Sequence, residues 1–329
     1  MIPALVALLQ IATPSSSPIP PRPGPDDVFD VVPVAAGVWA ALVKPAPAAY
    51  AFANSLVVAW DDGVLVVDTQ QSPTAARALV QWIGEHLGRP VRWVVNTHWH
   101  GDHVYGNQAY REAFPGVRFV GHTSTRTGVL EDAAAAREEE LDELPGTIRD
   151  RRRWLDTGRG PDGKELSPEG REAVARSLAL RQAYLRDLED LDLVPPDVTF
   201  TDRMTLHTGG RTVELIHLGP AHTAGDIVVR LPEEGVLAVG DLLEDGPPWL
   251  EGAWIPGWAA ALSRLRELPE RIVLVSHGTL HRDRELLDWQ ARFMEDLAGT
   301  ASSAHREGWT AEEALKRSDL RSFREPLAS

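Results

Sequence analysis

The chain has 329 residues, 43% of them hydrophobic and 25% charged, ordinary proportions for a soluble globular protein with enough length for a full core. Its formal charge of −15 argues against a nucleic-acid groove or an anionic membrane surface as partner. Cysteine is absent, which excludes disulfides, a thiolate nucleophile and cysteine-bound metal, so any metal site must draw on His, Asp or Glu.

Residues 2–12 form a short apolar run, and Ala12 offers a small residue for cleavage. The run resembles the h-region of a secretory signal, but no Lys or Arg precedes it. An exported protein and one with a loosely packed tail both remain open. Residues 13–27 are rich in Pro and Ser and read as an extended linker. No apolar run reaches the roughly 20 residues that span a bilayer.

From about Val28 to residue 329 the pattern predicts one domain. "GVWAALV" (37–43) and "NSLVVAW" (54–60) read as strands, and the turn "DDG" leads into a third, "VLVVD" (64–68). Residues 72–88 predict a helix: Ser72 caps it, Pro73 starts it, Leu79, Trp82 and Ile83 share a face, and Gly88 stops it. "VRWVV" (91–95) is the next strand, followed by a helix over 106–114 and the strand "VRFVG" (117–121). Residues 129–192 change character, with two helical patterns separated by "DTGRGPDGKELSP" (156–168). Ser167-Pro168 opens the second, with Val174, Leu178, Leu185 and Leu188 as its apolar stripe. This stretch is a helical insertion, either a lid over the chemistry or a pair packed outside and remote from it. Strands resume at 198–200, 204–208, 212–218, 226–231, 235–241 and 271–278, with a helix over 258–268 and a helical end from about Arg282. The stretches 61–68 and 233–241 echo each other, which suggests two similar β-rich halves. Two packed sheets with helices outside would bury that pattern.

Several strands end on groups able to bind metal: Asp68, His98, His222, Asp241 and His277. If these ends share one edge, their ligands converge. The densest cluster is "NTHWHGDH" (96–103). In extended chain, His98 and His100 point the same way and could clasp one ion. Asp102 and His103 follow the turn at Gly101 and can face a second. Imidazoles and carboxylates without thiolates suit zinc, and also manganese or iron. Folding alone does not explain the cluster, since each unpaired polar group, if buried, would cost roughly 1–3 kcal/mol.

"THWHGDH" resembles the His-x-His-x-Asp-His signature of the metallo-β-lactamase superfamily. "DDGVLVVDT", "VVNTHWHGDHVYGN", "PAHTAGDIVV", "AVGDLL" and "VSHG" follow in that family's order, so the resemblance covers roughly residues 30–320 outside the insertion. "NTHWHGDHVYGN" and "GWTAEEAL" (308–315) are most similar to the quinoprotein-relay or cyclase-like metallohydrolase branch. "VVDT" with a helix ending in "WI" also resembles β-lactamases of subclass B1. The resemblance implies an α/β fold, a four-layer αβ/βα sandwich, with a dinuclear site, most simply two zinc ions, at one edge. His98, His100 and His222 would hold the first ion, and Asp102, His103 and His277 the second, with Asp241 bridging. The B1 enzymes carry cysteine at the Asp241 position, so this site is more similar to those of glyoxalase II and the lactonases. Oxygen-reducing diiron relatives carry glutamate in place of His100, which favours hydrolysis over redox chemistry. Gln70 and Gln71 depart from the glycine many members have there, and Ser276 replaces the more usual Pro-Gly.

The implied reaction is attack of a metal-bridging hydroxide on an ester, thioester, lactone or amide carbonyl of a small molecule, with Asp102 orienting the hydroxide. A β-lactamase is the alternative; a diiron redox protein or a non-catalytic binding module are weaker ones. Asp68, Thr97 and Asp226 are candidates for holding the imidazoles in one tautomer, or serve plain turn and cap roles. Trp249, Trp254 and Trp258 form either an aromatic wall for an apolar substrate or ordinary loop packing.

Overall fold

The computed structural model describes residues 23–318. The apolar run 2–12 and most of the Pro/Ser-rich stretch lie outside the described residues. Helix α1 (Pro25–Val28) is a single turn with both terminal residues buried, so the stretch read as a linker ends in packed structure. Strands β1 (Phe29–Ala35), β2 (Val38–Val43), β3 (Ser55–Trp60) and β4 (Gly63–Val67) follow as an antiparallel meander. Trp60 pairs with Gly63, so the β3–β4 loop is Asp61-Asp62 alone and the glycine belongs to the strand.

In α2 (Pro73–His86) the Ser72 side chain accepts from the Ala75 amide, and Ala75, Leu79, Trp82 and Ile83 form the buried face. β5 (Val91–Val95) then runs parallel to β4. After it come α3 (Gly101–Val104), α4 (Asn107–Ala113), β6 (Arg118–His122), α5 (Thr123–Leu130), α6 (Asp132–Thr157), α7 (Pro168–Glu189) and β7 (Val198–Phe200). The seven strands form one sheet in sequence order. The second sheet contains β8 (Arg203–Thr208), β9 (Arg211–His217), β10 (Ile227–Leu231) and β11 (Val236–Ala238). Helix α8 (Ile255–Leu265) separates these from β12 (Ile272–Leu274) and β13 (Leu280–His281), which complete it. Helices α9 (Glu285–Glu307) and α10 (Ala311–Arg317) close the described chain.

The layering follows from burial. β3 and β4 are buried along their whole length, because both faces of the sheet are covered and apolar runs replace alternation. Between the sheets, Leu56, Val58, Leu65 and Val95 meet Leu215, Ile227, Val229 and Val236. Val57, Val66 and Val94 pack outward on α2. On the far side, Ile216, Val228, Leu237 and Val273 pack on α8 and α9 through Trp258, Leu262, Leu287 and Met294. The order is helix, sheet, sheet, helix.

Two strands are shorter than their sequence patterns predict. β11 and β12 stop at Ala238 and Leu274, where the chain leaves the second sheet. Gly240, at φ +57, makes that exit, and a Cβ there would lie 2.8 Å from Thr97 Oγ1. Helix α5 was not legible, because "TSTRTGVL" has no apolar period. The insertion helices α6 and α7 pack on each other and bury few side chains: Ala133, Leu144, Tyr184 and Leu188 join Val104, Tyr105 and Val129, and Ile148 is buried outside that cluster.

Gly106 shows how closely the segment after α3 is held. A Cβ there would fall 1.7 Å from the Thr69 carbonyl oxygen, backbone that cannot move aside. Gly106→Ala is expected to cost about 3 kcal/mol or more. Gly84→Ala, in α2 with nothing near its Cβ, is expected to stabilise by about 0.5–1 kcal/mol. Denaturant midpoints of the two variants check the contrast; similar midpoints would contradict the close approach.

Candidate metal centre

Five strands deliver their ends to one place. Val67 pairs with Val95, so Asp68 and Asn96 leave the first sheet side by side. Ala238 pairs with Leu274, so the chains to Asp241 and His277 leave the second sheet together. The loop after β9 carries His222, and the Ile227 amide donates to the Thr97 carbonyl at 3.0 Å, tying that loop to the end of β5.

Seven side chains converge there in two groups: His98, His100, His222 and Asp241, and Asp102, His103, His277 and Asp241. Within each group the ligating atoms lie within 4.8 Å of one another. Asp241 Oδ2 lies 3.6 Å from His98 Nε2, 3.5 Å from His222 Nε2 and 3.3 Å from His277 Nε2. Asp241 Oδ1 lies 3.3 Å from His103 Nε2. Asp102 Oδ2 is 3.1 Å from His277 Nε2, and the ring nitrogens of His100 and His222 approach to 2.9 Å.

The residues fit a cation. His98 Nε2, His103 Nε2 and Asp241 Oδ1 are buried without a hydrogen-bond partner. Each such orphan costs about 1–3 kcal/mol unless something meets it. A divalent ion in each group would meet all three, and a donor set of imidazole and carboxylate suits zinc, iron or manganese.

Electrostatics divide the histidines. Burial, helped by the neighbouring imidazoles, pushes His98 well below the usual histidine range and His100 down to about 4. Burial also lowers His222. Burial opposes charge on His103 and His277 too, but Asp241 and Asp102 outweigh it, raising His103 well above its usual value and His277 to about 11. The same pairing holds both aspartates well below the carboxylate range despite burial. Without metal, then, His103 and His277 carry protons that a cation must displace. Loading metal-free protein with zinc at pH 7 is expected to release protons, and affinity falls as pH falls. A pH indicator in weakly buffered solution reads this; binding without proton release would contradict it.

The supporting contacts differ in kind. Asp68 Oδ2 accepts from His103 Nδ1 at 2.9 Å and from Thr97 Oγ1 at 2.8 Å, and its Oδ1 accepts from the Thr97 amide at 2.8 Å. This bond keeps the Nδ1 proton on His103, so the proton that a cation would displace is the one on Nε2. Thr97 Oγ1 also lies 3.2 Å from His98 Nδ1. Asp226 touches no imidazole side chain of either group. It accepts from the Thr223 amide and hydroxyl at 2.7 Å each, and so braces the turn after His222. Burial raises Asp226 to about 7.

Gln70 stands at φ +85, a region that favours glycine. Its buried side chain donates to the Ala53 carbonyl and Ser55 Oγ, contacts that offset the backbone cost. Asn54 anchors the loop before β3 to the carbonyls of Val275, Ser276 and Gly278, on both sides of His277.

A cavity of 310 Å³ opens on the cluster, lined by His100, Asp102, His222, Asp241, Glu244, Trp249 and His277. Of the three tryptophans, only Trp249 lines it; Trp249 is 59% exposed. Its carbonyl also faces His222 Nδ1 at 3.2 Å. Trp254 is exposed outside the lining. Trp258 is a core residue, fully buried, its Nε1 donating to the Leu242 carbonyl. The insertion contributes no lining residue, so it braces α3 and does not roof this cavity. Glu244 had no signal in the sequence beyond its place three residues after Asp241. Burial, then the charge of Asp241, pushes it up to about 7.

The family model described as the metallo-beta-lactamase superfamily matches residues 50–277. A linear primary-alkylsulfatase from Pseudomonas sp. (strain ATCC 19151) is 24% identical over 71% of this chain and 43% of its own length, so the chain spans less than half of that relative. A metallo-beta-lactamase type 2 from Bacteroides fragilis is 21% identical over 68% of each. Among solved structures, a metallo-beta-lactamase from Pontibacter korlensis superposes with a TM-score of 0.55 at 22% identity, covering 82% of this chain and 99% of that one. The family match spans more than half the chain and includes all seven converging residues: the chain belongs to the metallo-β-lactamase superfamily.

Proposed function

We propose that this chain hydrolyses a small molecule at an ester, thioester, lactone or amide carbonyl, using two zinc ions. His98, His100 and His222 would hold one ion and Asp102, His103 and His277 the other, with Asp241 shared by the two groups. The observation that carries this reading is Asp241 itself, whose two oxygens face four ring nitrogens from both groups. When bound, a pair of such cations lowers the pKa of water toward neutrality and draws charge from a carbonyl oxygen.

The chain's own groups do the rest. Asp68 keeps the Nδ1 proton on His103, so that Nε2 stays free to ligate. The Trp249 carbonyl does the same for His222 Nδ1. Asp102 lines the cavity and is the catalytic residue of this reading, its carboxylate orienting the attacking water. Trp249 offers an apolar face to the part of the substrate that does not react. The reaction requires no Ser or Cys nucleophile.

β-Lactam hydrolysis is the second reading, favoured by the Bacteroides fragilis relative. The test sets zinc-loaded protein against a thioester, a lactone panel and a chromogenic cephalosporin. Turnover of the thioester or a lactone with chelator-sensitive kinetics supports the first reading, and turnover of the cephalosporin alone supports the second. No hydrolysis of any class by protein holding two zinc ions would overturn both.

A further inference from the structure

Every residue lining the cavity except Glu244 and Trp249 is taken up by the proposed cation groups. Glu244 is 8% exposed, and among the described residues its side chain has one hydrogen bond, a long one from the Trp249 amide to Oε1 at 3.3 Å. Among the described residues it forms no ion pair. Its backbone is fixed, because the amide donates to Gln290 Oε1 at 3.1 Å and the fully buried Gln290 is itself held by the Leu242 carbonyl. The lining therefore presents a fixed carboxyl with an unfilled acceptor, and it contains no Lys or Arg.

We infer that Glu244 determines specificity: it accepts a hydrogen bond from a neutral or cationic donor on the substrate, such as an ammonium or amide N–H, and turns away substrates with an anionic group at that point. The inference rests on the hydrolase reading of the same site. Above about pH 7, where Glu244 is ionised, an anion placed against it meets like charge, and no Lys or Arg lines the cavity to draw it there; an anion is drawn to the cation groups instead. A donor placed there meets a carboxyl that is mostly buried and holds one long hydrogen bond. The consequence is that a substrate with a carboxylate beside Glu244 is a poor fit for this cavity.

The test uses the zinc-loaded full chain at about pH 8.5, where Glu244 is ionised, and the 4-nitrophenyl esters of hexanoate, 6-aminohexanoate and adipate. The wild type is expected to prefer the ammonium ester over the carboxylate ester by about 30-fold or more in kcat/KM. In Glu244→Gln that ratio should fall by about tenfold, chiefly through KM, and in Glu244→Lys it should reverse. Glu244→Asp should restore part of the preference, which a merely structural role would not produce. An unchanged ratio in Glu244→Gln overturns the inference. Calorimetric titration with hexylammonium and with hexanol is the arm that needs no turnover. Tighter binding of hexylammonium, lost in Glu244→Gln at equal zinc content, sustains the inference even if no ester is hydrolysed and the hydrolase reading fails. Equal binding of the two probes overturns it.

Discussion

Asp241→Ala is expected to abolish the paired cation site and to lower kcat/KM by about a thousandfold or more, since a metal supplies several kcal/mol of transition-state stabilisation. The reason is its position. Asp241 belongs to both ligand groups, whereas each imidazole belongs to one. His100→Ala should therefore weaken one ion and leave the other, while Asp241→Ala loosens both. The fold should survive, because the carboxylate lies past the end of β11, outside the strand pairing and the packed core between the sheets. Metal analysis and far-ultraviolet circular dichroism together read the outcome. Two ions retained per chain with full activity would contradict the bridging role; a collapsed dichroism spectrum would show a structural one.

Asp68→Asn is expected to weaken cation binding at the His103 group by about 10–100-fold, the usual cost of losing a partner behind a ligand. The substitution isolates the hydrogen bond. Asp68 sits at φ +59, a conformation asparagine also tolerates, so little backbone strain is added. Thr97 donates to both carboxylate oxygens, and His103 Nδ1 shares Oδ2. An amide cannot accept at both positions. Its NH2 then faces either the Thr97 amide or the His103 ring, and in the second case the imidazole turns its own proton toward the cation position. Competition with a chromophoric chelator should show one site weakened and the other kept. Two unweakened sites would mean that Asp68 merely caps the turn.

The local part of the site was legible because ligands close in sequence cannot hide: four of the seven lie within residues 98–103. The distant three, His222, Asp241 and His277, were readable as polar ends of apolar runs, and the resemblance gave them roles. What the sequence lacked was depth. Trp258 and Trp249 stand in one loop-helix stretch, yet one is core and the other is cavity surface. Aromatic composition does not tell these apart; packing against α9 does. Asp226 looked equivalent to Asp68, since both are aspartates beside a ligand segment. The difference is a turn that folds Asp226 back on Thr223. Glu244 was missed because an acid in a loop is ordinary, and only burial beside the cavity makes it distinctive. For the fold, the helix over 72–88 was readable from its cap and its apolar face, while α5 was not, because tertiary contacts with α6 and the sheet replace a periodic signal. The ends of β11 and β12 were overdrawn for a related reason. Apolar residues continue past the last strand pair into the cluster, buried by α8 and α9 and not by a neighbouring strand.

The central claim is that seven side chains from both sheets surround two cations with Asp241 between them. Anomalous diffraction at the zinc edge, from crystals of zinc-loaded protein, tests it most directly. Two peaks are predicted, one within ligand distance of His98, His100 and His222, the other of Asp102, His103 and His277, with Asp241 reaching both. A single peak, or zinc bound away from Asp241, would contradict the account.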